Sequence, residues 1–108
     1  MNKLEITQNI SFKKLGVLHC NTYIFFEETD ILYCSADSNY TDIYLCNEKK
    51  YRVSKPLAKV SKMLTQEIFL RINQSYLVNH NFITGFNREK CVVLIGETEL
   101  KVSTRNKS

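Results

Sequence analysis

Glycine and histidine are scarce in this chain, and their scarcity removes several kinds of active site. Only three glycines are present, Gly16, Gly85 and Gly96, so a glycine-rich loop that cradles a phosphate group is excluded. The two histidines, His19 and His80, have no neighbouring serine and acid in a hydrolase-like arrangement. The sequence therefore predicts a protein that is not an enzyme and needs no cofactor. A paired-carboxylate or Cys–His site that only the fold would assemble stays open.

Long apolar runs are absent as well. No stretch approaches the roughly 18 residues of a membrane-spanning helix. The N-terminal stretch MNKLEITQNISFKKLGVL also lacks the apolar core of a secretory signal. We therefore expect a cytoplasmic protein with no membrane partner. Its 108 residues, 44% hydrophobic and 24% charged, are typical of one soluble globular domain.

The cysteine spacing matches neither a zinc site nor a redox motif. The four cysteines are Cys20, Cys34, Cys46 and Cys91. All except Cys20 fall in apolar, strand-like segments, where free cysteine behaves as a small hydrophobic residue. We therefore expect reduced, structural cysteines and no metal site.

Basic residues are concentrated in the second half of the chain. Residues 1–48 hold three basic and seven acidic residues, whereas residues 49–108 hold twelve basic and four acidic residues. Six basic residues and no acidic residue lie between Lys49 and Lys62. A solvated lysine face would explain this pattern, and so would a polyanionic partner such as nucleic acid.

Short runs rich in β-branched and aromatic residues dominate the chain. They fall at residues 22–28, 30–36, 41–46, 50–54, 82–86, 91–95 and 99–103. Tight polar connectors such as residues 37–39 and 96–98 separate them. Strands this short and this close together predict an antiparallel, mainly β domain rather than βαβ units, which need longer crossovers.

One segment breaks the β pattern and predicts a short α-helix over about residues 55–65. Ser54 is a candidate N-cap, and Pro56 falls in the first turn. Apolar residues then recur with helical spacing at Leu57, Val60 and Leu64. The helix is therefore expected to cover the core and to turn its lysines to solvent.

Polar side chains collect where β-type segments end. The clusters are Asn39–Thr41, Asn73–Ser75 and Arg105–Lys107. Amides pair well with adenine, arginine with guanine, and hydroxyls and ammonium groups with phosphate. The sequence thus indicates a nucleic-acid-binding surface, although residues 37–39 also suit an ordinary turn. By contrast, Asn79 and Asn81 are expected to bond to backbone as they turn the chain out of a strand.

Two other functions remain compatible with these residues alone. An open sheet edge could accept a strand from a partner protein. Tyr40, Tyr44 or Tyr51 could stack on the bases of single-stranded nucleic acid. Competition between duplex and single-stranded ligands separates these alternatives from duplex binding.

The order of motifs resembles the LytTR family of bacterial DNA-binding domains. The matching pieces are DILYCSADSNYT from residue 30, FLRINQSYLVNHNFI from residue 69, and a terminal Val-Ser-x-Arg at 102–105. The resemblance covers roughly residues 15–106. We therefore expect a LytTR-like domain over 15–108, preceded by a linker or N-terminal extension over 1–14. The chain departs from the family's usual pattern at Asn73–Gln74, where a histidine and a basic residue are common, and at Ser35, where the family has an acid.

The resemblance implies an elongated sandwich of three small antiparallel sheets with one short helix. It also implies a sequence-specific regulator of transcription that binds double-stranded DNA through loops in successive major grooves. Such domains typically bind direct repeats as the output half of two-component response regulators, behind a receiver domain in a longer parent protein.

The same resemblance, with the chemistry of the side chains, assigns candidate DNA contacts. Predicted base-reading residues are Asn39, Tyr40, Thr41, Asn73, Gln74 and Arg105. Predicted phosphate contacts are Ser54, Lys55, Arg71, Ser75, Lys101, Ser103, Asn106 and Lys107.

Overall fold

The protein is an elongated stack of three antiparallel sheets. A computed structural model describes residues 14–103, and its principal extents are 51 × 32 × 27 Å. The strands are β1 (Lys14–His19), β2 (Thr22–Glu27), β3 (Ile31–Asp37), β4 (Tyr40–Leu45), β5 (Lys50–Val53), β6 (Phe69–Arg71), β7 (Tyr76–Asn79), β8 (Gly85–Asn87), β9 (Val92–Ile95) and β10 (Thr98–Lys101). They form a β1–β2 hairpin, a five-stranded sheet in the order β5-β4-β3-β7-β6, and a three-stranded sheet in the order β10-β9-β8. The predicted mainly β architecture of small antiparallel sheets is confirmed.

The five-stranded sheet is covered on both faces, which gives the domain two hydrophobic cores. On β7, Leu77 packs into the core shared with the β1–β2 hairpin and the helix. Tyr76 and Val78, on the other face, pack into the core shared with the three-stranded sheet. This alternation fixes the register of β7, because a slip of one residue would exchange the two faces. The loop that precedes β7 is therefore anchored from both sides.

The α-helix of residues 14–103, α1, spans Leu57–Met63 and is shorter than predicted. Leu57 and Val60 are buried, as the helical spacing indicated. The predicted cap at Ser54 is wrong, because Pro56 occupies the N-cap position in an extended conformation and no side chain caps the helix. Pro56 disfavours helical geometry in Lys55, the residue before it, so Ser54 cannot cap a helix that starts at Lys55.

Strands β1, β6 and β7 lie outside the seven predicted β runs, and one predicted run is not a strand over its whole length. Strand β1 was not foreseen, although Leu15 and Val17 alternate toward the core. The segment predicted as a strand over 82–86 instead contains the end of a 3₁₀ turn, His80–Phe82, and the start of β8. The turn forms because the buried Asn79 side chain accepts a hydrogen bond from the Asn81 N–H at 2.9 Å. Backbone bonding was expected for the side chains of Asn79 and Asn81, and it is confirmed for Asn79, whereas the Asn81 side chain makes no hydrogen bond among residues 14–103.

The four cysteines are free thiols in different environments, so their reactivity should differ. Cys34 is fully buried in the central sheet, and burial raises the pKa of its thiol to about 12. Cys20 and Cys46 are exposed, and Cys46 lies just beyond β4 rather than inside a strand as predicted. We expect iodoacetamide at pH 8 to label Cys20 and Cys46 in the folded protein, since the thiolate is the nucleophile.

Cys34 should react only after denaturation. Peptide mass spectrometry after labelling with and without urea measures this difference. Labelling of Cys34 in the folded protein as fast as Cys46 would contradict its place in the core.

Candidate nucleic-acid interface

One end of the five-stranded sheet carries most of the predicted DNA contacts. Because neighbouring strands are antiparallel, the ends of β5, β3 and β6 lie beside the starts of β4 and β7. The connectors at this end are residues 38–39, 54–56 and 72–75. We call them, together with residues 102–103, the loop edge. With neighbouring strands about 4.8 Å apart, the five strands make this edge about 19 Å wide.

Two hydrogen bonds hold residues 101–103 against the loop before β7. The Asn73 side chain donates from Nδ2 to the Lys101 carbonyl oxygen at 2.6 Å. The Ser103 N–H donates to the Ile72 carbonyl oxygen at 2.8 Å. The segment that leads toward the Arg105–Lys107 cluster therefore lies beside the Asn73–Ser75 cluster. Residues 105–107, predicted to contact DNA, lie outside the residues that the structure describes.

The loop before β7 is shaped by Asn73 and Arg71. Asn73 Oδ1 accepts hydrogen bonds from the N–H groups of Ser75, at 2.6 Å, and Tyr76, at 2.9 Å. Arg71 donates from Nε to the Asn73 carbonyl and from Nη2 to the Gln74 carbonyl, both at 3.0 Å. Both side chains thus bond to the backbone of their own loop, a role that the sequence did not indicate.

Gln74 lies at the tip of this loop and is exposed. Within residues 14–103 its side-chain amide makes no hydrogen bond to protein, whereas its backbone is fixed by Arg71. Its neighbour Ser75 is exposed too, and the Ser75 carbonyl accepts from the Ala36 N–H at 2.8 Å, which ties the loop to β3. Gln74 is therefore a free amide on a rigid support.

At the β3–β4 turn, two of the three residues predicted to contact bases are exposed to solvent. Ser38 and Asn39 form a two-residue turn, in which Ser38 adopts a positive φ of 59°. Asn39 is exposed, and Tyr40 is 44% exposed. Thr41 is fully buried, and its hydroxyl donates to the Lys55 carbonyl at 2.7 Å. Thr41 thus faces the core rather than solvent, and its hydrogen bond holds the connector at residues 54–56.

Arg52 of β5, which was not predicted as a site residue, joins the β3–β4 turn to the sheet. Its guanidinium donates to Asp42 at 2.9 and 3.1 Å and forms an ion pair with Asp37. It also lies over the Tyr40 ring, 5.3 Å from the ring centre. The Arg52 hydrogen bond lowers the pKa of the Asp42 carboxyl, outweighing the opposite effect of burial.

The other predicted phosphate contacts are exposed and lie along the same end of the molecule. They are Ser54, Lys55, Lys101 and Ser103. Lys101 Nζ donates to the Lys90 carbonyl at 3.1 Å. Because Val92 pairs with both Lys101 and Asn87, the β8–β9 turn with exposed Arg88 and Lys90 extends the loop edge. Sequence reasoning missed these two basic residues, since only the strand pairing places them there.

Two of the three tyrosines considered for stacking on single-stranded bases are engaged with protein rings. Tyr44 stacks on Tyr33, with ring centres 4.4 Å apart, and Tyr51 packs against Phe26 at 4.9 Å. Only Tyr40 is among the exposed large side chains of the described residues. These three tyrosines therefore do not form a stacking platform, which needs several free rings along one strand.

Residues 14–103 offer neither a cluster of metal ligands nor a membrane-spanning helix. This part of the chain contains no group of three or more His, Cys, Asp or Glu side chains able to hold a metal ion. Its helices are also too short and too polar to cross a bilayer.

Comparison with known proteins identifies the family. The model of the LytTr DNA-binding domain matches residues 21–108. A solved LytTr DNA-binding domain from Bacillus cereus, described as part of a methyl-accepting/DNA response regulator, superposes with a TM-score of 0.69. The two are 17% identical over 83% of this chain and 85% of that chain. No curated protein matches. Since the family match spans most of the sequence and the folds agree, this chain belongs to the LytTR family of DNA-binding domains.

Proposed function

We propose that this domain regulates transcription by reading the sequence of duplex DNA with its loop edge. The observation that carries the proposal is the hydrogen bond from Asn73 Nδ2 to the Lys101 carbonyl at 2.6 Å. This bond joins residues 28 positions apart and holds the end of β10, which leads toward the third polar cluster, against the loop before β7. The β3–β4 turn lies on the same edge, so two of the three polar clusters of the sequence share one surface, and the chain that leads to the third cluster reaches that surface at residues 102–103.

The dimensions of the domain suit a duplex. A major groove is about 12 Å wide, so an edge about 19 Å wide can insert a loop and still reach a flanking phosphate backbone. The long axis of 51 Å exceeds the roughly 34 Å between successive major grooves on one face of DNA. Contact with successive major grooves is proposed from the family resemblance, and the length of the domain is compatible with it.

The hydrogen-bond geometry divides the predicted contacts into two roles. Asn39, Tyr40 and Gln74 are proposed to contact bases, because they are exposed at the loop edge. Arg105 remains a proposed base contact from the sequence. Thr41 and Asn73 were predicted as base readers, and we now propose that they position their neighbours. The phosphate contacts stand as proposed above, with Asn106 and Lys107 among them.

The wider context is also proposed by family membership. We infer that the domain is the output half of a two-component response regulator, acts behind a receiver domain and binds direct repeats. Support comes from the family and from the Bacillus cereus relative, which is described as a response regulator.

Footprinting of a selected DNA site in single and tandem copies tests whether the domain binds direct repeats. Cooperative protection of both copies is expected.

Selection from a randomised duplex library tests the proposed function itself. We expect enrichment of one short motif, and about six phosphate contacts should give the enriched duplex a log–log salt slope near −5. Titration between 50 and 200 mM salt by fluorescence anisotropy measures the slope. A single-stranded form of the same sequence is the control and should compete poorly.

Two results would contradict sequence reading. Retention of duplex without an enriched motif would mean that the basic surface binds any polyanion. Equal competition by the single strand would restore the stacking alternative. The first result would favour a search for protein partners that add a strand to an open sheet edge.

A further inference from the structure

Arg52 lies beside the loop edge on the face of the sheet that carries Tyr40. In β4, Thr41 and Ile43 point into the core, so Tyr40 and Asp42 point the other way. Arg52 is the strand partner of Asp42 and is the residue before the last position of β5. About half of its side chain is exposed. It is therefore within one strand of the β3–β4 turn.

The guanidinium of Arg52 is held in one orientation. Nε donates to Asp42 Oδ1 at 2.9 Å, and Nη2 donates to Asp42 Oδ2 at 3.1 Å and to Asp37 Oδ2 at 2.5 Å. Three of the five guanidinium N–H groups are thereby used. The Tyr40 ring, 5.3 Å from the guanidinium carbon, restricts the plane of the group further.

The remaining nitrogen, Nη1, has two N–H groups with no protein partner among residues 14–103. Because a guanidinium is planar and rigid, fixing Nε and Nη2 also fixes the direction of Nη1. A donor held in this way has lost its side-chain freedom before any ligand arrives, so ligand binding costs less entropy.

We propose that Arg52 is a base-reading residue whose Nη1 donates to the O6 and N7 acceptors of a guanine in the major groove. This inference rests on the proposed function, since it requires the loop edge to enter that groove. Asp37 and Asp42 are positioning residues, which orient the guanidinium and do not contact DNA. Guanine is the base that presents two adjacent acceptors to such a donor.

The local charge favours a base over a phosphate as the partner. Two carboxylates surround one guanidinium, so Asp37, Asp42 and Arg52 together carry a net negative charge. A phosphate approaching this group would be repelled, whereas the acceptors of guanine are uncharged. A contact from Arg52 should therefore add sequence preference more than general affinity.

Library selection with matched variants tests this assignment. Wild type is expected to enrich guanine at one position, and Arg52→Ala should lose that preference, with about tenfold weaker binding of the selected duplex. Lys49→Ala is the control, because it removes one positive charge from an exposed residue at the opposite end of β5. It should weaken all duplexes about twofold and leave the motif unchanged. Asp37→Asn should weaken the guanine preference, and Asp37→Glu should restore part of it.

Replacement of that guanine by 7-deazaguanine, which lacks the N7 acceptor, identifies the contact directly. Wild type should bind the modified duplex several-fold more weakly, whereas Arg52→Ala should not distinguish the two duplexes. If Arg52→Ala does not fold because Asp42 is left unpaired, the Asp42→Asn/Arg52→Ala double variant serves for both measurements.

The outcomes separate this inference from the function on which it rests. If wild type enriches a motif and Arg52→Ala keeps it, or weakens every duplex equally, Arg52 is not a base reader and the proposed function stands. If wild type enriches no motif, both proposals fail. The assignment is supported if Arg52→Ala loses the guanine preference and binds the guanine and 7-deazaguanine duplexes equally, while wild type binds the 7-deazaguanine duplex more weakly.

Discussion

Replacing Asn79 by alanine is expected to lower the free energy of unfolding by about 3 kcal/mol. Its side chain is fully buried, donates to the Ile31 carbonyl at 3.0 Å and approaches the Glu28 carbonyl at 3.4 Å. Its Oδ1 also accepts from the Asn81 N–H at 2.9 Å. Alanine would leave these backbone groups without their partner, and buried polar groups without partners are costly. Urea unfolding followed by circular dichroism measures the change.

Asn81→Ala is the matched control for this prediction. Asn81 is exposed, and its contribution to the turn comes from its backbone N–H, which alanine retains. We expect a change below about 0.5 kcal/mol, as for most surface substitutions. Similar destabilisation by the two variants would show that the buried amide of Asn79 does not hold β7 to β3.

The type of most elements could be predicted from local patterns, although the structure has ten strands where seven β runs were predicted. Short apolar runs separated by polar turns identify most strands, and the spacing of Leu57 and Val60 identifies α1. The same alternation that buries Ile43 also places Thr41 on the core face, so its burial could have been foreseen. The chemistry of the Asn39–Thr41 cluster and the family resemblance both favour Thr41 as a base contact, and neither takes account of the face of β4 on which its side chain lies.

What could not be predicted depends on contacts between distant residues. The Asn73 amide bonds to a carbonyl 28 positions away, and Arg52 meets Asp37 and Asp42 only because β3, β4 and β5 are neighbours. In a linear sequence, an amide that shapes a loop and an amide that faces DNA look alike. Gln74 and Asn73 are adjacent, yet only Asn73 has backbone partners within reach of its side chain.

This difference between two adjacent amides gives the prediction with the largest expected effect on DNA binding. Asn73→Ala should weaken binding of every duplex by about ten- to a hundredfold, because binding must then order loop residues at about 1–2 kcal/mol each. Gln74→Ala should instead relax the preference at one or two base positions, at a cost of about 1–3 kcal/mol on the selected site alone. Anisotropy titrations of each variant against the selected duplex and a scrambled duplex measure both effects.

Asn73→Asp separates the two tasks of the Asn73 side chain. A carboxylate keeps the acceptors for the Ser75 and Tyr76 N–H groups but cannot donate to the Lys101 carbonyl, which it would repel. If the link to Lys101 is what orders the loop edge, the aspartate variant should bind every duplex as weakly as the alanine variant. If the hydrogen bonds to the Ser75 and Tyr76 N–H groups are what orders the loop, the affinity of the aspartate variant for duplex DNA should be closer to that of wild type at a salt concentration that screens the added negative charge. A sequence-dependent loss in Asn73→Ala, like that expected for Gln74→Ala, would instead return Asn73 to the base-reading residues.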